Sequence, residues 1–298
     1  MTQRPNFFVV GAAKCGTTSL HHYLSQHPQV FMPKLKELHY FCTDLELGDG
    51  WHIEDQETYL RLFEDAVDQK ALGEASPWYL FSKVTPYAIK EFTPDAKIII
   101  MLRPPAEFIN SIHLQFINTD DEDILDLAEA LEAEEDRRNG KRIPQYSNWA
   151  RCLQYRAAAT FSEQVERYLS TFGKQNVHII LLEDLVSNIG TTLSSTYEFL
   201  AIDDYHNLDV EQKNKTRDLS HLDLAIKRLA YRNPTINRLA HSVPKPILNA
   251  YRTFTSRVLK PVRSYKKDEI RATLREEFIR EVEKLETLVD RDLSHWNR

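Results

Sequence analysis

The chain has few cysteines, and they lack the spacings in which cysteine usually binds metal. Three occur among its 298 residues, at Cys15, Cys42 and Cys152, and no CxxC pair is present. This excludes a zinc-ribbon type of site and a disulfide framework, both of which need clustered cysteines. The histidines and carboxylates form no ligand spacing either, so no metal is expected. The cysteine usage favours a reducing compartment.

Long hydrophobic runs are also missing. No apolar stretch approaches the roughly 20 residues of a membrane-spanning helix. The first apolar run follows directly after MTQRPN, which leaves no room for a signal peptide. We therefore expect a cytoplasmic protein without a transmembrane segment. Hydrophobic residues make up 42% and charged residues 28% of the chain, as in a folded protein, and the length suits a single domain, 1–298.

The net charge says little about partners, because the charges are unevenly distributed. The total is −6, but residues 119–136 are strongly acidic, whereas residues 227–267 contain many Lys and Arg and no Asp or Glu. The simplest interpretation of both stretches is a solvated helix face. Alternatively, the acidic stretch repels anionic acceptors, and the basic stretch binds an anionic acceptor or contacts a membrane peripherally. The pattern does not favour a nucleic-acid partner.

Three short apolar runs predict buried strands, at 7–10 (FFVV), 97–102 (KIIIML) and 177–182 (VHIILL). Continuous apolar strands are typical of parallel sheets that helices cover on both faces. The expected class is therefore α/β, with a central, mostly parallel sheet flanked by helices and a helical C-terminal part (205–298) covering the cleft. Helical patterns occupy 17–23, 57–67, 86–92, 106–117, 124–138, 150–171 and 268–289.

The first predicted strand enters the loop GAAKCGTTS, residues 11–19, which precedes a helix. Backbone N–H groups and the positive end of the helix then converge where a phosphate can bind. Gly16 permits close backbone approach, Lys14 supplies a charge, and Thr17 and Thr18 supply hydroxyl donors. Lys14 precedes Gly16 by two residues, whereas a Walker A lysine follows the last glycine. The pattern predicts an anion site that is not a Walker A loop.

A second anion-binding motif follows the second predicted strand. Arg103 stands at the carboxyl end of that strand, and Ser111 lies two helical turns further on, within RPPAEFINS. A guanidinium fork and a hydroxyl at these positions can reach the same phosphate. The alternative for Arg103 is an ion pair at the end of the strand.

Residues 11–30 (GAAKCGTTSLHHYLSQHPQV) resemble the 5′-phosphosulfate-binding loop of the sulfotransferases that use 3′-phosphoadenosine-5′-phosphosulfate (PAPS), especially the glycan-modifying branch and its bacterial relatives. The Arg103 motif resembles the family's 3′-phosphate site, with Phe108 in place of a second arginine and His113 in place of an aromatic residue. Further similar segments are 36–41 (KELHYF), 73–79 (GEASPWY) and 285–296. The resemblance implies a P-loop-like three-layer fold, PAPS as donor, the bisphosphate PAP as product, and no metal.

The resemblance also implies roles for individual residues. Glu37 is the general base, His39 assists near the sulfuryl group, and Lys14 stabilises the leaving phosphate oxygen. Glu74 either replaces Glu37 as the base or orients Lys14, because Ala75 stands where the family often has lysine. The acceptor is a hydroxyl or amine of a carbohydrate or small metabolite. The implied donor-binding residues are Lys14, Cys15, Gly16, Thr17, Thr18, Ser19, Arg103, Ser111, Lys213, Lys215 and Arg217, and the implied substrate contacts are Glu74, Trp78 and Tyr79.

Other interpretations stay open at the level of sequence. Glu37 can be a surface carboxylate paired with Lys34 or Lys36, and His39 can be a hydrogen-bonded structural histidine. A P-loop kinase is a second candidate function, but it needs a Walker lysine directly before Ser or Thr and an Asp on a second strand. A third is a regulatory protein that binds a nucleotide without turnover.

Overall fold

A computed structural model of the protein describes residues 3–48, 50–209, 229 and 267–298. Within this part of the chain, five strands form one parallel sheet in the order β2-β3-β1-β4-β5. The predicted α/β class, with a central parallel sheet between helices, is confirmed. The strands are β1 (Phe7–Gly11), β2 (Val30–Phe31), β3 (Ala71–Ala75), β4 (Lys97–Leu102) and β5 (Val177–Leu181).

Several predicted helices are broken into shorter ones. The pattern at 124–138 forms two helices, and so does the pattern at 268–289. The pattern at 150–171 forms a 3₁₀ turn and two helices, and the Thr160 hydroxyl at the second break donates to the Arg156 carbonyl at 2.9 Å. The helices are α1 (Thr17–Leu24), α2 (Gln56–Arg61), α3 (Thr85–Phe92), α4 (Pro105–Thr119), α5 (Leu127–Glu132), α6 (Glu134–Arg138), α7 (Tyr155–Ala159), α8 (Phe161–Phe172), α9 (Leu182–Ser187), α10 (Ile189–Phe199), α11 (Lys267–Glu277) and α12 (Ile279–Val289).

The centre of the sheet is the centre of the hydrophobic core. Residues 7–10 of β1 and 98–102 of β4 are completely buried, which explains why these strands are apolar without alternation. The sequence ALGEA of β3 lacks this signal and does not predict a strand. At Gly73 an added Cβ would collide with the Phe7 ring and the Met32 sulfur, so close packing, not β propensity, determines this residue.

The C-terminal helices that the structure describes pack on the helical layers. Arg271 and Arg275 of α11 form ion pairs with Glu107 of α4, at 3.1 and 3.0 Å. Trp296 donates from its indole nitrogen to Glu183 of α9 at 2.9 Å. The prediction that 205–298 covers the cleft falls mostly on residues outside the described ranges and stays a prediction. Among the helices described, none is long and apolar enough to span a membrane.

Candidate active site

The candidate residues meet at the carboxyl edge of the sheet, where the strand order changes direction. The chain passes from β1 to β2 and β3 on one side and then crosses to β4 on the other side of β1. The loops that follow β1 and β4 therefore diverge around a crevice, which is the usual ligand position in an open parallel sheet. The Ala12 N–H donates to the Met101 carbonyl at 2.6 Å and holds the β1 loop against the end of β4.

The loop 11–19 has the geometry of an anion cradle. Gly16 has a φ of 90°, and an added Cβ would lie 2.7 Å from Leu182 Cδ1. Both the backbone conformation and the lack of space therefore exclude a side chain at this position. Because α1 begins at Thr17, the Thr17 and Thr18 N–H groups lack acceptors within the helix and point out of its end, whereas the Ser19 N–H donates to the Gly16 carbonyl at 2.9 Å. Cys15 is buried, and burial raises its pKa to about 12. Its thiol therefore faces the core, and its N–H donates to the Ala12 carbonyl at 3.2 Å, so neither group of Cys15 is free to bind the sulfuryl donor in this conformation.

Two positive charges meet beside this cradle. The Arg103 guanidinium donates to the Lys14 carbonyl at 3.0 Å, and the Lys14 ammonium donates to Gln115 Oε1 at 2.6 Å. Burial, followed by the Arg103 charge, lowers the pKa of Lys14, while the Glu37 charge acts in the opposite direction. Arg103 Nε is buried without a partner in the described part of the chain. A bound phosphate or phosphosulfate would offset the repulsion between the two cations and would accept a hydrogen bond from Arg103 Nε. The site therefore fits PAPS, the predicted sulfuryl donor.

Ser111 lies on α4, nearly buried at 7% exposure, in the helix that follows the Arg103 turn. Gln115 stands four residues later, on the same face of the helix. Gln115 is not among the residues predicted from the sequence, although its i,i+4 spacing from Ser111 is a visible signal. The face of α4 that carries these two residues therefore contributes to the Lys14 and Arg103 site.

Glu37 lies in the segment 36–41, which we call the Glu37 loop. Its carboxylate is 2.9 Å from Lys36 Nζ, and its side chain is 40% exposed. The ion pair of the simpler interpretation is therefore present, and the carboxylate still reaches solvent. The Glu37 charge raises the pKa of Lys14, so the carboxylate is close enough to the phosphate loop to interact with Lys14.

His39 is buried next to Glu37 in the same loop. Its ring packs on those of Trp149 and Tyr79, with centroids 5.2 and 6.3 Å away. Burial lowers the pKa of His39 to about 4, against the opposing effect of the Glu37 charge, so the ring is neutral at pH 7. Neither ring nitrogen has a hydrogen-bond partner among the residues described. This does not fit a hydrogen-bonded structural histidine, but the residue is 2% exposed, so a ligand reaches its ring nitrogens only when neighbouring side chains move.

The three predicted substrate contacts lie beneath the surface. Glu74 is 1% exposed and accepts from the hydroxyls of Ser76 and Tyr59, both at 2.6 Å. Tyr79 is completely buried, and its hydroxyl accepts from the Phe41 N–H. Trp78 is stacked on Phe116 and is 5% exposed. None of the three can touch an acceptor without movement of its neighbours. The predicted donor contacts Lys213, Lys215 and Arg217, and almost all of the basic stretch 227–267, lie outside the described residues.

Glu74 predicts a measurable effect of pH on stability. Burial raises its pKa from 4.5 to about 7, although the bonds from Ser76 and Tyr59 oppose the shift. Between these values the folded protein keeps a proton that the unfolded chain has lost, so the contribution of Glu74 to stability falls as pH rises. We expect the free energy of unfolding of the wild type, relative to Glu74→Gln, to decrease by about 3 kcal/mol from pH 4 to pH 8.

Urea unfolding of both proteins at several pH values would measure this difference. The histidines with lowered pKa, His21, His39, His113 and His178, make the reverse contribution: as pH drops they take up protons in the unfolded chain first, so stability falls. They are common to both proteins and cancel in the comparison. A difference that does not change with pH would show that Glu74 has an ordinary pKa.

Comparison with known proteins identifies the family. Residues 4–223 match the family model described as "Sulfotransferase domain". The "Membrane-associated sulfotransferase kil1" of Dictyostelium discoideum is 38% identical over 103 residues, which are 35% of this chain and 21% of that protein. The human "Carbohydrate sulfotransferase 15" is 29% identical over 246 residues, covering 66% of this chain and 43% of that protein. The chain thus spans less than half the length of these curated relatives.

A solved structure aligns with this chain at a sequence identity above one quarter. The sulfotransferase from Alicyclobacillus acidocaldarius has a TM-score of 0.74 and 29% identity, covering 99% of this chain and 100% of that one. The resemblance inferred from the sequence motifs is confirmed, and because the family model matches well over half of its residues, the chain belongs to the sulfotransferase family.

Proposed function

We propose that the chain transfers a sulfuryl group from PAPS to a hydroxyl or amine of a carbohydrate or small-metabolite acceptor. The observation that carries this proposal is the pair of cations, Lys14 and Arg103, beside the first turn of α1. The Arg103 guanidinium donates to the Lys14 backbone carbonyl at 3.0 Å, and its charge lowers the pKa of the Lys14 ammonium. Two like charges that interact in this way favour an anionic ligand. Membership of the sulfotransferase family supports phosphosulfate as that anion.

The donor would be held by the ends of two elements. In this proposal the N–H groups of Gly16, Thr17 and Thr18, together with the hydroxyls at 17–19, bind the 5′-phosphate. Arg103 and Ser111 bind the 3′-phosphate, the guanidinium as a fork and the serine as a hydroxyl donor. Lys213, Lys215 and Arg217 are proposed to close over the nucleotide.

Transfer needs a base on one side of the sulfur and a cation on the other. In our proposal the Glu37 carboxylate accepts the acceptor's proton while the acceptor's oxygen or nitrogen bonds to sulfur. The bond from sulfur to the 5′-phosphate oxygen breaks, and Lys14 neutralises the charge that develops on that oxygen. His39, neutral because burial lowers its pKa to about 4, donates or accepts a hydrogen bond at the sulfuryl group.

The acceptor would meet the exposed end of an aromatic row. His39 packs on Trp149, and Trp149 packs on Trp51 with a centroid distance of 5.5 Å. Trp149 and His39 are buried, whereas Trp51 is 40% exposed and is the ring of this row that an acceptor can contact from solvent. Aromatic rings of this kind present broad apolar faces, which suit the C–H faces of a sugar. The similarity to a carbohydrate sulfotransferase supports the same acceptor class.

Calorimetric titration with PAP and with ATP, each with and without magnesium, would test the donor site. We expect tight binding of PAP and little binding of ATP, because the loop lacks the Walker lysine and PAP alone carries a 3′-phosphate. A magnesium-dependent preference for ATP would instead support a kinase. PAP binding without turnover on any of a panel of sugars and small hydroxyl or amine acceptors would support the regulatory alternative.

A further inference from the structure

The Glu37 loop is held against β3 and the turn after it by alternate backbone amides. The Glu37 N–H donates to the Ala75 carbonyl at 2.9 Å. The His39 N–H donates to Ser76 Oγ at 3.0 Å, and the Phe41 N–H donates to the Tyr79 hydroxyl at 3.2 Å. Two of the three acceptors are side chains, so the loop's position depends on residues outside it.

The loop's backbone conformation needs such support. Glu37 has a φ of 63° and His39 a φ of 51°, both in the left-handed region that favours glycine. For other residues this conformation persists where the surroundings hold it. Lys14, the third candidate catalytic residue, has a φ of 61°. The side chains proposed to act on the sulfuryl group therefore all stand on strained backbone.

The buried Glu74 carboxylate lies behind Ser76, which accepts the middle one of these three hydrogen bonds. Ser76 donates its hydroxyl proton to Glu74 Oε1, and Tyr59 donates to Glu74 Oε2, each at 2.6 Å. Ser76, Glu74 and Tyr59 are at most 1% exposed. A serine hydroxyl has one proton, so its donation to Glu74 turns the oxygen lone pairs towards the His39 N–H. Glu74 thereby sets the direction of the Ser76 hydroxyl.

We propose that Glu74 and Ser76 are positioning residues, which hold the His39 backbone and with it the left-handed loop that presents Glu37 and His39 to the Lys14 site. The effects that this inference predicts on turnover rest on the proposed function. The positioning role also separates Glu74 from the chemistry, because both carboxylate oxygens are engaged by hydroxyls and closed off from the acceptor.

The variants Ser76→Ala and Glu74→Gln test this proposal together. Ser76→Ala removes the acceptor of the His39 N–H, and we expect kcat to fall about 10- to 100-fold. The affinity for PAP should stay within about twofold, because PAP lacks the sulfuryl group on which Glu37 and His39 are proposed to act. Glu74→Gln keeps an oxygen for the Ser76 hydroxyl and has an amide that donates to Tyr59, so its kcat should stay within about fivefold of the wild type. Tyr59→Phe, which removes the Tyr59 bond to Glu74, is the matched control with little expected effect.

Hydrogen exchange of the His39 amide gives a readout that needs no turnover. It should become faster in Ser76→Ala than in Tyr59→Phe, while the exchange of β1 amides stays unchanged. Wild-type kcat and unchanged exchange in Ser76→Ala would overturn the proposal. So would a folded Glu74→Gln that binds PAP but has no activity, since that result would make Glu74 a base. If the wild type itself fails to bind PAP, the proposed function fails, and faster exchange in Ser76→Ala would still support the positioning role.

Discussion

Replacing Lys14 with alanine is expected to lower kcat by about 100- to 1000-fold, the scale on which the loss of one preorganised donor at a developing charge slows an enzyme. PAP should also bind about 10-fold more weakly, because Lys14 contributes a charged hydrogen bond to the donor site. The fold should not suffer. The Lys14 pKa is lowered by burial and by the Arg103 charge, so removing the ammonium also removes a repulsion.

Thermal unfolding, calorimetry with PAP and turnover assays would measure the three effects separately. Alanine adopts the left-handed φ of 61° at this position at a cost similar to that of lysine, so the backbone strain is matched. Lys174→Ala is a suitable control, because Lys174 is 75% exposed and lies before β5, at the opposite edge of the sheet. A folded Lys14→Ala protein with more than about a tenth of wild-type kcat would contradict the proposed charge stabilisation.

The strands at the centre of the sheet could be predicted from the sequence because they are buried on both faces. β4 has the predicted bounds, and β1 and β5 differ from theirs by one residue. β3 could not be predicted, since Gly73 is required by a neighbouring strand's Phe7 ring and Glu74 by hydroxyls that come from other segments. Residues chosen by tertiary contacts do not follow local propensity.

The position of the phosphate loop could be predicted from a general rule about parallel sheets, whereas its hydrogen bonds to other segments could not. Lys14 and Arg103 were expected at the carboxyl edge because each follows a buried strand. The bond from Lys14 to Gln115 joins residues 101 positions apart, and its formation depends on which face of α4 points to the crevice. The left-handed backbone at Lys14, Glu37 and His39 had no signal either, because no glycine marks it.

Glu37→Gln is expected to lower kcat by about 1000-fold, the scale of a lost general base, and to change PAP affinity by less than about twofold. Glutamine has nearly the same volume but cannot take the acceptor's proton. The stability of the variant should differ little from that of the wild type, since the Glu37 side chain is 40% exposed and an exposed ion pair contributes about 1 kcal/mol at most. Turnover at saturating PAPS and PAP calorimetry would measure both quantities.

Two further variants make the result specific. Glu166→Gln removes an exposed carboxylate of α8 and controls for the change in charge, and Lys36→Ala removes the ion pair while it leaves the Glu37 carboxylate. If the ion pair alone mattered, Lys36→Ala would be as inactive as Glu37→Gln. If Glu37→Gln stays active, Glu74 is a poor substitute because Ser76 and Tyr59 occupy its oxygens. The remaining base would then be His39, whose ring nitrogens have no partner among the described residues, and its pKa of about 4 would leave the rate unchanged from pH 6 to pH 8.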